Sequence, residues 1–477
     1  MKIRVNMVGG TLALMASAGL WALPLRAQEG STEKPKPAAR VLLPLPDLSG
    51  DQQDSDQDSQ AQQPDHGPVT GIQSPTLGSP ELRHSYWLPG IQYSNTAQSN
   101  SSIPGGDRGW ITTSYMSGNL SLLEAWSHAL LSTNYSGGGF VSNDPVQGKG
   151  QYHQFAAALQ VDQRRWQALF INQFSYLPQS TFGFGGTSEL SFPGITGALA
   201  VPLPQLQNSF VPGQSVFSAS GPRYTNAGAA QLTYQLSPRG TITVAAVDGL
   251  LRFTNSGNIS SDTETLNAGY NYAITRKDSL GMVYRFSAFH YLNNPQAVGD
   301  HLAQVVYGRR IVKRLGMNLG GGPEITTFRM PIAGSSKKVS TAGSASLTYS
   351  LARAKVGLDF MHGVSNGSGV FTGARTDLVS ASLSRQFTRV WSGRLNFGYA
   401  RNKQIVAISG LTSPIYDSWV PGAGLSRPLG RSAYFSIGYQ AQIENSNVAL
   451  CSTCGTNYTI HQIIMSFQWH APPQVLR

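Results

Sequence analysis

Leu280-Gly281-Met282-Val283-Tyr284-Arg285-Phe286-Ser287 puts a large apolar side chain at every second position. Leu280, Met282, Tyr284 and Phe286 share one face; Gly281, Arg285 and Ser287 share the other. A period of two is the signature of a β-strand with two unlike faces. The same pattern runs through Ala433–Glu444, where Phe435, Ile437, Tyr439 and Ile443 oppose Ser436, Gly438, Gln440, Gln442 and Glu444, and again through Trp391–Tyr399. These runs are longer than the strands of most soluble domains. They match the roughly 9–11 residues that a tilted strand needs to cross a bilayer. The expected fold is all-β: a transmembrane antiparallel up-and-down barrel of about 16–18 strands over residues 86–470.

The spacing of turns supports paired strands. Short turns are expected around Glu124-Ala-Trp126, Gln163-Arg-Arg165, Pro238-Arg239, Arg276-Lys-Asp278, Lys313-Arg314, Arg353-Ala354, Thr388-Arg-Val390 and Gly430-Arg-Ser432. The connections between them are longer and rich in Gly, Ser and Asn. Short turns at one end and long loops at the other suit an outer-membrane barrel, whose short turns face the periplasm. One interval breaks the rhythm. Between Arg165 and Pro238 lies room for two hairpins, but residues 178–225 are rich in Pro, Gly and Ser and do not alternate. Either two strands lie there or one long loop follows the fifth strand; the composition favours the loop, and long irregular loops tend to be functional.

Composition agrees with a wall that is apolar on one side and polar on the other. Charged residues make up 12% of the chain and hydrophobic residues only 40%. Soluble sandwiches and propellers also contain many strands, but theirs are usually shorter, and no blade-type repeat occurs here. The net charge of +11 is spread singly and in pairs over turn-like positions, which argues against nucleic acid as a partner.

The N-terminus reads as a secretory signal peptide over residues 1–27. Lys2 and Arg4 precede an apolar run from Met7 to Leu25, and Leu25-Arg26-Ala27 is a cleavage site. No run of about 18 apolar residues follows, so no transmembrane helix is expected. Residues 28–85, rich in Pro, Gln and Asp, are expected to be a disordered periplasmic arm available to a periplasmic partner. In an oxidising compartment Cys451 and Cys454 of Cys-Ser-Thr-Cys favour a small loop disulfide over a metal half-site. No cofactor or metal site is expected.

The last alternating run, Tyr458–Trp469, turns Ile463, Met465, Phe467 and Trp469 to one side. It resembles the C-terminal signature that the assembly machinery of outer membranes recognises in its barrel clients. In that pattern the aromatic is usually the last residue, whereas here a short tail, residues 471–477, follows. The irregular segment 178–225 also resembles the loop after the fifth strand of general porins, which folds into the channel and narrows it. A porin-like superfamily in a bacterial outer membrane is what the resemblance implies, with lipid around it and, as in many porins, homo-oligomers.

By alternation, the pore-lining candidates are Arg285, Arg310, Glu324, Asp359, Arg394, Gln440, Gln442 and Glu444, with the amides of Gln154, Gln160 and Gln231. Both signs occur, which suits a weakly selective pore for small hydrophilic solutes rather than a single-sign filter. An export port for a polysaccharide or another secretion system, and a non-conducting structural barrel, are the alternatives. Catalysis is not expected. Gly363-Val-Ser365-Asn-Gly367 fits Gly-x-Ser-x-Gly, but that motif works on a strand-to-helix turn of an α/β sheet. Ser335-Ser-Lys-Lys338 fits Ser-x-x-Lys, but reads as a surface loop. His128, His153, His290 and His362 have no spacing that selects any of them for a barrel-embedded hydrolase.

Overall fold

In the computed structural model the described residues run from Ser85 to Val475, apart from 100–108, 144–147, 178–221, 255–257, 406–414, 448–457 and positions 293, 313, 333–334, 352, 368, 370 and 431. The signal peptide, nearly all of the N-terminal arm, Cys451 and Cys454 lie outside them.

The strands are β1 (Tyr86–Ser99), β2 (Trp110–Ala125), β3 (Ala129–Ser142), β4 (Lys149–Asp162), β5 (Trp166–Leu177), β6 (Arg223–Ser237), β7 (Gly240–Phe253), β8 (Ser261–Ala273) and β9 (Asp278–Tyr291). They continue as β10 (Ala297–Val312), β11 (Leu315–Ile332), β12 (Ser335–Ser350), β13 (Ala354–Ser365), β14 (Ala374–Gln386), β15 (Ser392–Gln404), β16 (Ile415–Pro428), β17 (Ala433–Ser446), β18 (Tyr458–His470) and β19 (Gln474–Val475). Each strand pairs antiparallel with the next, and β1 pairs with β18 from Gly90↔His470 to Gln98↔Gln462, so 18 strands close on themselves. Closure gives every wall strand a hydrogen-bonded neighbour on both sides, which is what a strand needs in hydrocarbon.

The short turns fall at one end, where both β1 begins and β18 stops. The β2–β3 turn is Trp126–His128, two residues later than expected, because Glu124 and Ala125 pair with Leu131 and Leu130. At the other end the β11–β12 connection breaks the expectation of long loops: Ile332 pairs with Ser335, so Ser335–Lys338 begins a strand and is not a surface loop. The long irregular interval joins β5 to β6, and Leu177 is the register partner of Arg223. Arg223–Thr225 therefore belong to β6, and the loop itself lies outside the described residues. The C-terminal tail turns back, and Tyr86↔Val475 and Trp87↔Gln474 add β19 to the short-turn end of β1.

The outward rows carry exposed apolar side chains, such as Leu266, Met282, Val305, Leu358 and Phe397. These rows end in polar or charged residues at both edges: His301 and Arg309 on β10, Asp377 and Arg385 on β14, Asp417 and Arg427 on β16. Eight to ten residues at a membrane-barrel tilt give about 25 Å of height, the usual apolar band. Towards the short turns the band is closed by Trp87, Trp166, Tyr234, Tyr272, Tyr349 and Trp469, all exposed. The upper edge is marked differently. Tyr135, Tyr284 and Tyr439 hydrogen-bond to Nδ1 of His153, His301 and His461 at 2.8–2.9 Å, and Tyr399 donates to Asp417 at 2.9 Å. In each case a tyrosine on an ascending strand ties its hydroxyl to the residue that ends the apolar row of the next strand. Amphipathic rings belong at such interfaces.

Val305 lies midway between His301 and Arg309. Val305→Arg is expected to lower the unfolding free energy in lipid vesicles by about 2–4 kcal/mol, against about 0–1 kcal/mol for Ile311→Arg at the short-turn edge. Equal costs, measured by denaturant titration of tryptophan fluorescence, would mean that the band is misplaced.

Candidate functional site

The inward rows are polar. Gln92, Ser94, Thr96, Thr113, Gln154, Gln231, Thr233 and Asn267 are buried on β1–β8. Among the described strands of that half, inward charge is confined to the ends, with Arg223 at the top of β6 and Asp162 at the foot of β4. The other half, β9–β18, holds the charged candidates. Arg285, Arg310, Glu324, Asp359, Arg394, Gln440, Gln442 and Glu444 all stand on inward rows there, as do Gln154, Gln160 and Gln231 on the first half.

The structure brings two of these candidates, Arg285 and Glu324, together with two residues that alternation did not single out. Arg285 Nη2 on β9 lies 3.5 Å from Asp300 Oδ2 on β10. Asp300 adjoins Glu324 of β11, and Glu324 Oε2 lies 3.8 Å from Arg375 Nη2 of β14. The two carboxylates are fully buried. Two acids between two guanidiniums make a balanced zigzag, the arrangement a buried charge requires. The remaining candidates lie apart from it. Asp359 sits between Ser346 and Ser380 in register, and Glu444 accepts from Ser418 Oγ at 3.5 Å.

Glu324 is where the wall changes. The β12–β13 ladder stops at Gly343↔His362, whereas β13–β14 continues to Ser365↔Ala374. Above the break the β13–β14 hairpin leans into the barrel. Val364 belongs to the outward row of β13, with Phe360 and His362, yet it packs on the inward residues Phe289, Tyr291, Val298 and Phe328. Its N–H, left without a β12 partner, donates to Glu324 Oε1 at 3.0 Å, while Ser340 Oγ donates to Oε2 at 3.1 Å. Gly322 precedes Pro323 and Glu324; a Cβ on Gly322 would lie 1.8 Å from the Ala303 carbonyl oxygen, so only glycine lets β10 approach here. Proline removes the next donor from the ladder.

The connection that follows, residues 366–373, completes the inward fold. Gly367, Gly369 and Gly373 have φ of 80°, 82° and 91°, a region that favours glycine. Ile259, before β8, donates its N–H to the Gly369 carbonyl at 2.8 Å. On the other side Phe371 meets Tyr416 of β16 edge-on at 5.1 Å. The loop thus reaches from the β7–β8 connection to β16 across the long-loop mouth. The narrowing expected of residues 178–225 falls on a segment that lies, up to residue 221, outside the described residues; among the described residues it is the 366–373 connection that folds inward. Its signal in the sequence was the glycine spacing of 367, 369 and 373 around one phenylalanine.

Ser365 is fully buried, with its hydroxyl 2.8 Å from Thr376 Oγ1. His153 is held by Tyr135, His362 by Asp377, and His290 faces outward on β9.

No protein-family model and no curated protein sequence matches the chain. Solved structures with a similar fold include OccK2 (OpdF) of Pseudomonas aeruginosa, with 10% identity, 80% of this chain and 98% of that chain covered, and a TM-score of 0.43. OccAB1 of Acinetobacter baumannii follows at 8% identity, 81% and 97% coverage and 0.42. OccK5 (OpdH) of Pseudomonas aeruginosa stands at 12% identity, 83% and 100% coverage and 0.42.

Glu324→Ala orphans the buried Val364 N–H and Arg375 together. It is expected to destabilise the barrel by about 1–3 kcal/mol. Glu324→Gln, which keeps an acceptor for Val364, should cost less. Equal losses for the two variants in denaturant titration would assign the whole effect to the charge.

Proposed function

We propose that the protein is a passive channel of a bacterial outer membrane for small hydrophilic solutes. One observation carries this reading: a closed 18-strand barrel has a polar inner face, and its long-loop mouth is narrowed by an inward hairpin. A lumen lined by amides and hydroxyls on one half and by paired charges on the other offers both hydrogen-bonding partners and a balanced potential. Neither sign dominates, so discrimination between anions and cations is weak, and size and hydrogen bonding select. Arg285, Arg310, Glu324, Asp359, Arg394, Gln440, Gln442 and Glu444 line the path; residues 366–373 set its width from one side, and the segment between β5 and β6 is the natural candidate to add to it.

The outward row Ile463, Met465, Phe467 and Trp469, exposed on β18, supports recognition by the barrel assembly machinery. The short-turn end, where β1 begins and β18 stops, corresponds to the periplasmic side in this reading, and a periplasmic partner is the proposed role of residues 28–85.

The test is single-channel recording in planar bilayers. Wild-type protein should give stepwise openings with a reversal potential near zero in a salt gradient. Replacing residues 366–373 by a short Gly-Ser turn should raise the conductance, and Asp359→Lys should move selectivity towards anions. Silence in both the wild-type and the loop-shortened barrel would sink the channel reading and favour a plugged export port or a structural barrel.

A further inference from the structure

The inner wall of β1–β8 is polar apart from one diagonal track. It starts at Tyr86, the first residue of β1, and follows the register through Leu123, Ser132, Ala158, Ile171 and Ala229 to Val247, midway along β7. Every member stands on an inward row. Ala158, Ile171 and Val247 cluster with Leu169 and Ala229, all of them wall residues. Yet Leu123 and Ala158 are 1% exposed, Leu169 2% and Ser132 0%. A barrel of this strand number surrounds a channel that its own side chains do not fill. Facing walls therefore cannot cover these residues, and a second layer must. On β9–β11 the leaning hairpin is that layer. The track on β2–β7 lies nearer the short turns and needs another.

Where the track begins decides what covers it. Ser85 Oγ accepts from the Ala125 N–H at 3.0 Å, so the N-terminal arm joins the wall beside Tyr86 and Leu123. The end of that arm, residues 69–82, carries a single charge, Glu81, and spaces Ile72, Leu77 and Leu82 five residues apart. Pro75 and Pro80 favour an extended chain. At about 3.1–3.3 Å per residue, each five-residue step covers about 16 Å, close to three strand spacings of about 4.8 Å. We propose that residues 69–84 turn into the lumen at the short-turn end and lie along this track, with Leu82 at Tyr86 and Leu123, Leu77 at Ala158 and Ile171, and Ile72 at Val247. Charge favours the arm over the β5–β6 connection as the occupant. Residues 41–82 hold six Asp and one Glu and neither Lys nor Arg, whereas residues 178–221 hold one charge, Glu189. At the short-turn ends of their strands the inward rows carry Arg310, Lys355 and Arg394 against Asp162, so the mouth through which the arm enters attracts it. The seat uses only the end of residues 28–85, so it goes beyond the periplasmic role proposed above and leaves it standing. It narrows the lumen from the short-turn side, as residues 366–373 do from the other.

The experiment follows a thiol on the track in the mature chain in detergent micelles. Ala158→Cys is combined with Cys451→Ser and Cys454→Ser, and labelling by a polar maleimide is timed. Adding Ile72→Asp and Leu77→Asp, which remove two apolar contacts of the arm, should speed labelling about tenfold or more while the heat-modifiable gel shift of the folded barrel persists. In the chain with Leu77→Cys and Ala158→Cys, a bismaleimide should join positions 77 and 158, read as a cross-linked peptide by mass spectrometry. Removal of residues 178–221 should leave labelling as slow as before. The proposal is overturned if position 158 labels at the same rate with and without the arm substitutions, if no cross-link joins positions 77 and 158, or if removal of residues 178–221 exposes position 158, which would make the β5–β6 connection the occupant. Conductance is not the readout, so a silent barrel leaves this test intact.

Discussion

A strand in hydrocarbon has no water to satisfy its N–H and C=O groups, and every other feature of this chain follows from that constraint. It forces closure through β1 and β18, and so fixes an inside and an outside for each of the 18 strands. Once the wall is closed, a period of two sorts side chains with no further instruction. Apolar residues meet lipid, and amides, hydroxyls and paired charges meet the interior. The same constraint explains why the early end of the β12–β13 ladder lies where it does. β12 and β13 part above His362, past Phe360, the last residue of the outward row that meets lipid, where polar surroundings replace hydrocarbon. Even there the freed Val364 N–H is taken by Glu324 rather than left open.

That substitution of a side chain for a strand gives Glu324 its burial. A carboxylate with no exposure is costly unless its oxygens are occupied. Glu324 has a backbone donor and a hydroxyl on its two oxygens and a guanidinium close by, and the Gly322–Pro323 step holds it under the leaning hairpin. The hairpin in turn gains an apolar seat, Val364 against Phe289, Tyr291, Val298 and Phe328. An outward residue packed on inward ones is a contradiction of alternation that only a bent strand can resolve. It shows how a barrel narrows its own mouth with wall strands as well as loops.

Much of the fold was legible because alternation and turns are local. Leu280–Ser287 and Ala433–Glu444 reveal their faces within one strand, and turns such as Gln163–Arg165 and Pro238–Arg239 lie within the connections that the structure shows. What stayed hidden depends on relations between strands. Parity assigns Arg285 and Glu324 to the interior but does not say that Asp300 stands between them. It assigns Val364 to the exterior, where the structure does not leave it. Ser335–Lys338 looked like a loop because charge and serine are common in loops; in fact it pairs with β11 through Lys337 and Lys338. The Tyr–His ties of the upper edge join residues 17 to 22 positions apart, a separation set by hairpin length and visible only after pairing.

The distribution of charge around the interior follows from where the wall bends. β1–β8 form an uninterrupted ladder, and amides and hydroxyls suffice to coat it, bonded along and across strands as in Thr233 to Thr243 and Thr265 to Ser287. On β9–β14 a second layer, the leaning hairpin, lies against the first. Two polar surfaces brought face to face need complementary groups, since a desolvated group without a partner costs more than a bond returns. Opposite charges on the two layers meet that need with direction and reach: Glu324 on the wall holds Arg375 and the Val364 N–H on the hairpin, and Arg285 balances Asp300 beneath. The paired charges therefore gather where the barrel is doubled, while β1–β8 carry inward charge only at the strand ends, in Arg223 and Asp162.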